Sequence, residues 1–155
     1  MSFQKAKEHL KKYELDKKIM EFTTSSATVQ EAAKALNCTE GEIAKTLSFL
    51  IDEQPILIVV AGDAKIDNSK YKGEFHKKAK MIPFNKVGNM IGHKVGGVCP
   101  FGIKEGVEVY LDVSLKKYET IYPAAGSSNS AVKLTIKELE EASNYKKWID
   151  VCKKI

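Results

Sequence analysis

The chain has 155 residues, 43% hydrophobic and 29% charged, a balance that excludes a disordered polymer and predicts one domain, residues 1–155, with its own core. No apolar run approaches the roughly 20 residues needed to cross a bilayer, and no apolar segment follows the lysines of residues 1–9, so a soluble cytoplasmic protein with no membrane partner is expected. Net charge is +5 and all 25 basic residues are lysine; lacking the bidentate arginine fork that reads guanine edges, the chain is not expected to bind DNA sequence-specifically.

Phe3, Ala6, Leu10 and Tyr13 follow helical spacing behind Ser2, predicting an amphipathic helix over 2–13. Residues 17–22 alternate loosely as a short strand, and Thr23, Thr24, Ser25 and Ser26 form a polar loop. Thr28 and Glu31 have capping-box spacing; they open a helix carrying Ala32, Ala33 and Leu36 that closes at Asn37. Thr39 and Glu42 repeat the spacing over a short turn that delivers Lys45. Residues 46–51 and 56–61 are β-rich and joined by a turn cluster at 52–55, the pattern of an antiparallel hairpin. Asp67 caps a helix through Lys70, Tyr71 and Phe75. A short strand is expected at 79–82, then a helix with Pro83 in its first turn running to about Ile91. Strands follow the glycine-rich stretch 92–102, at 107–111, 120–124 and 130–134. Thr135 and Glu138, a third capping box, open a C-terminal helix, with Trp148 and Ile149 packing back on the core. The fold class is mixed α/β (α+β), a single domain with a central, mainly antiparallel sheet flanked by helices.

Residues 92–102 hold four glycines and one proline in eleven positions. Two readings fit: a bulged strand connection, or a loop whose bare N–H groups cradle an anion or oxyanion. The spacing matches neither a Walker loop nor a dinucleotide-binding turn. Residues 125–131 form a second small-polar loop, an ordinary turn or, with residues 23–26, part of one pocket. Lys45 shares strand parity with Leu47 and Phe49. A lysine in register with apolar residues either snorkels to water or sits at a pocket floor holding negative charge. His93 and Cys99 raise a thiol-nucleophile reading, although nothing in sequence orients the imidazole. His9 and His76, in lysine-rich helices, are expected to be solvated. Cys38, Cys99 and Cys152 are odd in number and widely spaced, so reduced thiols and no metal site are expected.

Residues 28–33 (Thr-Val-Gln-Glu-Ala-Ala), residues 43–47 (Ile-Ala-Lys-Thr-Leu), the pattern Gly92-x-x-x-Gly-Gly-Val-x-Pro-Phe-Gly102, and Ala125-Gly126-Ser127 resemble the YbaK/prolyl-tRNA-synthetase-associated editing domain family. The match runs in order through residues 20–140. The resemblance implies a strongly curved central sheet and hydrolysis of mischarged aminoacyl-tRNA in trans, foremost of the prolyl-tRNA type. It places the family's functional lysine at Lys45 and its glycine loop at Gly96, Gly97 and Gly102. The later loop maps to Gly126, with Ser127 and Ser128 beside it. Lys45 would hold a terminal phosphate or the ester oxygens, and the backbone at Gly96 and Gly97 would face the oxyanion. The attacking water would be oriented partly by a substrate hydroxyl, with no cofactor or metal required. Substrate contacts are expected from Thr23, Thr24, Ser25 and Ser26. Further contacts are expected from His93, Val98, Cys99 and Pro100 and from the second loop. Where several family members carry a histidine or bulky residue, this chain has Thr23 to Ser26, so its side-chain pocket differs. The expected partners are the 3′ end of a mischarged tRNA and an aminoacyl-tRNA synthetase. The alternative is a non-catalytic module that binds tRNA ends or aminoacyl groups on the same fold; a nucleotide-phosphate binder lacks any Mg²⁺-liganding motif.

Overall fold

The structure, a computed structural model, describes residues 2–153, so residues 1, 154 and 155 of the expected 1–155 domain lie outside the described part. Helix α1 (Ser2–Lys11) buries Ala6 and Leu10. It stops short of residue 13: Glu14 turns the chain at φ +61 and Tyr13 stays exposed. After a 3₁₀ turn (Asp16–Lys18) comes β1 (Ile19–Glu21). Helix α2 (Val29–Leu36) is closed by its capping box: Thr28 Oγ1 accepts the Glu31 N–H at 3.1 Å, and the Glu31 carboxylate accepts the Thr28 N–H at 3.3 Å. Asn37 ends it at φ +53, a left-handed position asparagine tolerates. Glu42 likewise accepts the Thr39 N–H at 3.0 Å, while its own N–H bonds the Thr39 carbonyl at 3.2 Å. That tight turn aims the chain into β2 (Ile43–Ile51).

Strands β2 and β3 (Gln54–Ala61) form the expected hairpin, with Lys45 opposite Val60 and Phe49 opposite Ile56. The turn is shorter than residues 52–55. Asp52 takes φ +55, and Pro55 already pairs with Leu50. Proline is tolerated there because pairing of β3 with its other neighbour begins only at Ile56. Residues 56–60 are wholly buried, as a continuous apolar run requires of a strand covered on both faces. Helix α3 (Asn68–Phe75) is capped by Asp67 Oδ1, which accepts the Ser69 N–H at 2.9 Å. It packs Tyr71 between Phe49 and Phe75, with ring centroids 5.1 and 4.8 Å away.

Residues 79–82 make a single antiparallel bridge, Met81 to Phe49, rather than a strand. The Leu50 N–H donates to the Lys80 carbonyl (2.8 Å) and the Ile82 N–H to the Ser48 carbonyl (3.1 Å). Pro83 then precedes a 3₁₀ turn (Phe84–Lys86) and α4 (Val87–Ile91). Later come β4 (Glu108–Asp112), β5 (Thr120–Pro123), β6 (Ser130–Val132), β7 (Leu134–Thr135), α5 (Ile136–Ala142) and β8 (Lys147–Ile149). The expected strand 130–134 is thus two, in different sheets. Trp148 and Ile149 reach the core as an edge strand rather than in the helix, because Asn144 breaks the chain at φ +52.

The large curled sheet runs β7-β5-β2-β3-β4-β8, and β1 pairs with β6 apart from it. Antiparallel pairing carries most registered residues, chiefly through the hairpin. The β2–β5, β3–β4 and β4–β8 neighbours are nonetheless parallel. The β3-to-β4 connection passes through α3 and α4, the crossover that parallel neighbours need, and α5 lies on the path from the β7 edge to β8 beside β4. Because β5 meets β2 only at Ile43 and Ala44, the edge of β2 at 48–50 is left to residues 80–82. Among the described residues no helix is long and apolar enough to cross a membrane.

Candidate functional site

Three polar loops meet beside β2. The Phe22 N–H donates to the Asn129 carbonyl at 2.8 Å, and Asn129 Nδ2 returns a bond to the Phe22 carbonyl at 2.9 Å. The Ser26 N–H donates to the Ser128 carbonyl at 2.6 Å. The glycine loop closes onto this pair. Gly96, at φ +96, lies against Ala27 and Ser128. At Gly97 a Cβ would come within 2.7 Å of the Ser127 nitrogen and 2.8 Å of the Gly126 carbonyl carbon. Only a residue without a side chain lets the two backbones approach so closely.

Between these loops, α2, β2 and the 81–87 segment lies a cleft of about 500 Å³, in the size range of small-molecule sites. Its walls are mainly apolar: Val29, Ala32, Leu47, Val87, Val98 and Tyr122, with Met81, Phe84 and Val95 at exposed positions. Lys45, half-buried, enters from β2 and makes no ion pair or hydrogen bond among the described residues. Burial lowers its pKa from 10.5; Cys152 and Asp63 act against that, and Lys65 adds to it. The Cys152 thiol, itself pushed up to about 12 by burial, is neutral near pH 7 and exerts no charge there. Next along β2, the Thr46 hydroxyl is buried without a partner. Beside the glycine loop Ser130 is buried, and its Oγ accepts from Ser127 Oγ at 2.7 Å. Among the described residues no carboxylate, imidazole or thiol lines the cleft.

Of the residues singled out in sequence, Lys45, Gly96, Ser26 and Val98 line the cleft. Gly97 does not: it is buried, and its N–H donates to the Lys94 carbonyl at 3.0 Å. Among the described residues the Gly96 and Val98 N–H groups meet no protein acceptor. Thr23, Thr24 and Ser25 are exposed outside the cleft, with Ser25 Oγ donating to Glu31 at 3.3 Å. Ser127, Ser128 and Gly126 stand behind the wall; Gly126, at φ +92, faces the α1 backbone at Ser2 and Phe3. Gly102 packs on α1 as well, where a Cβ would meet Lys5 at 2.5 Å.

His93, Cys99 and Pro100 are buried away from the cleft. His93 and Cys99 do meet, at 3.6 Å, and His93 Nε2 lies 2.6 Å from the Phe101 carbonyl. Burial holds the imidazole below its usual 6.5 and pushes the thiol up to about 12. A sealed, protonated thiol is no nucleophile. His9 is not solvated as expected: its Nδ1 accepts the Gly102 N–H at 3.1 Å, and its Nε2 lies 2.6 Å from the Ala142 carbonyl. Thr46, Ser130, Tyr122 and the rim residues were missed in sequence. Only Thr46, adjacent to Lys45, carried a local signal.

Comparison with known proteins bears on this site. A family model described as an aminoacyl-tRNA editing domain matches residues 23–142, the segment that holds all three loops and β2. The uncharacterized protein YwhH of Bacillus subtilis (strain 168) is 51% identical over 154 residues, spanning 99% of this chain and 98% of that protein. The proline–tRNA ligase of Bacillus cytotoxicus is 28% identical over 91 residues, 58% of this chain but 16% of the ligase. A solved structure provisionally assigned as a trans-editing enzyme for prolyl-tRNA synthetase superposes with a TM-score of 0.88 at 25% identity, covering 99% of this chain and 98% of that one.

Proposed function

The chain belongs to the aminoacyl-tRNA editing domain family, and from that premise we infer that it is a deacylase acting in trans on the ester of a mischarged tRNA, foremost one of the prolyl type. The observation that carries this reading is the cleft: mainly apolar walls that include Lys45, without an ion pair among the described residues, and a loop whose Gly96 and Val98 N–H groups meet no acceptor among them. The apolar part suits the amino-acid side chain. Lys45 suits the ester oxygens or the terminal phosphate, held as a point charge.

In the reaction, the oxygen of a water attacks the ester carbonyl carbon. The carbonyl oxygen becomes an oxyanion, for which Gly96 and Val98 are the available donors, Gly97 having its N–H bonded to Lys94. One such donor contributes about 3–4 kcal/mol to the transition state. The bond from carbon to the ribose oxygen then breaks, a water proton ends on that oxygen, and free amino acid leaves. With no carboxylate or imidazole lining the cleft among the described residues, the proton passes through the substrate's neighbouring ribose hydroxyl. The cytoplasm, where charged tRNAs and their synthetases are found, is the proposed location, with a synthetase as second partner.

A cleft whose lining among the described residues holds no carboxylate or imidazole fits one second reading, a module that binds the aminoacylated end without cleaving it. Incubation with tRNAs charged with alanine, cysteine, serine or threonine separates the two. Release of at least one amino acid is expected of the deacylase; binding without release from any of them establishes the module.

A further inference from the structure

We propose that the exposed rim formed by Met81, Phe84 and Val95 is a stacking platform for the unpaired 3′-terminal bases of a tRNA, flanked by lysines that take its phosphates. This rests on the deacylase reading for its occupant and adds a nucleobase subsite outside the reacting ester.

Phe84 is 78% exposed, Met81 56% and Val95 46%. They are three of the five large hydrophobic residues exposed among the described residues, and all three border the cleft. Clustering of exposed apolar side chains at one mouth is the mark of a binding surface, whereas single exposed residues need no explanation.

The platform is rigidly presented. Residues 80 and 82 are hydrogen-bonded to the edge of β2, Ile82 and Val87 are buried on either side of Phe84, and Pro83 sits between at φ −55. Phe84 is therefore held outward by a pinned backbone, so a planar partner need not order the segment that carries it.

Charge decides the kind of partner. Residues 75–104 contain six lysines and no aspartate or glutamate. Lys77 pairs with Asp52 at 3.4 Å. Lys80, Lys86 and Lys94 are exposed and form no ion pair among the described residues. The stem of Lys94 runs past Gly88, where a Cβ would lie 3.7 Å from its Cγ, so this lysine stands beside α4. An apolar partner protein would be served by the rim alone. Unpaired cations interleaved with an exposed aromatic fit a single strand, whose bases stack while its phosphates meet lysine. Double-stranded nucleic acid offers no free base face to Phe84.

Binding of a 5′-labelled ACCA tetranucleotide and of uncharged full-length tRNA, followed by fluorescence anisotropy across a salt series, tests this. Phe84→Ala is expected to weaken both by about tenfold, within the range for loss of one base–aromatic stack, with the salt slope unchanged. Phe84→Trp should retain affinity, and Phe84→Leu, apolar but without a π-face, should lose it like alanine. Changing Lys80, Lys86 or Lys94 to Gln should flatten the salt slope by about one for each phosphate no longer neutralised. Wild-type affinity in Phe84→Ala overturns the platform. So does full affinity in Phe84→Leu, which would mark the rim as a docking face for an apolar protein surface. If Phe84→Ala melts early, the Trp and Leu variants decide between the same outcomes. Binding needs no hydrolysis, so the two readings fail separately: Phe84-dependent binding without release of any amino acid refutes the deacylase alone, and release with Phe84-independent binding refutes the platform alone.

Discussion

Replacing Gly97 by alanine tests the claim that the cleft exists because two loop backbones touch. An alanine Cβ would lie 2.7 Å from the Ser127 nitrogen, 2.8 Å from the Gly126 carbonyl carbon and 2.9 Å from the Ser127 Cα. All three obstacles are backbone, so no rotamer relieves them and the loops must separate. Overpacking of this kind costs about 3 kcal/mol, which lowers Tm by about 9 °C in a domain of this size. Two other glycines isolate the steric part. Gly106 has φ +90 but open space around it, so Gly106→Ala carries only the left-handed penalty, about 1 kcal/mol. Gly73, inside α3 with nothing within 4 Å, should gain about 0.5–1 kcal/mol as alanine. Denaturant unfolding of the three variants gives the order Gly73→Ala above wild type, Gly106→Ala slightly below, and Gly97→Ala far below. Deacylation should fall in Gly97→Ala alone, since Gly96 moves with its neighbour. If Gly97→Ala costs no more than Gly106→Ala, close approach of the loops is not what shapes the site.

Lys45→Met keeps the stem but removes the charge; kcat/KM on a cleaved aminoacyl-tRNA should drop at least about a hundredfold, while urea unfolding changes little because a half-buried cation without a partner adds no stability. Near-wild-type turnover in folded protein removes Lys45 from the chemistry. Cys99→Ser should keep most activity, and iodoacetamide should modify Cys99 only after unfolding, as expected of a sealed thiol raised to about 12; a trapped aminoacyl-thioester on Cys99 contradicts this. Burial holds His93 below its usual 6.5, so beneath that pH the unfolded chain binds a proton that the folded chain refuses. Stability therefore falls as pH drops from 6.5 toward the folded-state value, by at most about 1.4 kcal/mol per pH unit. His93→Gln, measured by unfolding from roughly pH 7.5 to roughly pH 5, the range where the linkage acts, should flatten that slope, and an unchanged slope assigns it to other groups.

Much of the molecule was legible because its causes are local. The Thr28–Glu31 box involves residues three apart, and its bonds form wherever the helix starts. The hairpin follows from two β-rich runs around a turn, and Lys45 stood out because its parity matched Leu47 and Phe49. The glycine loop was recognisable as a place of close approach, but not which glycine approaches what: Gly97 is shaped by Ser127, thirty residues on, and Gly102 by Lys5, far behind it. The same limit hid the parallel neighbours of β4, which depend on crossovers that bring distant strands together.

What the sequence determined by itself is most of the helices with their caps, the hairpin with its apolar central strand and the unusual lysine, since each follows from backbone preference and hydrophobic period within a few residues. Only the tertiary structure decided which polar groups face the cleft. His93 and Cys99, which raised a thiol-nucleophile reading in sequence, are sealed in the interior, whereas the large apolar Phe84 and Met81 stand exposed at the cleft mouth. The physical reason is that exposure depends on what the rest of the chain packs against each residue. At the glycine loop that neighbour is α1, and at β2 it is the strand edge that β5 leaves uncovered.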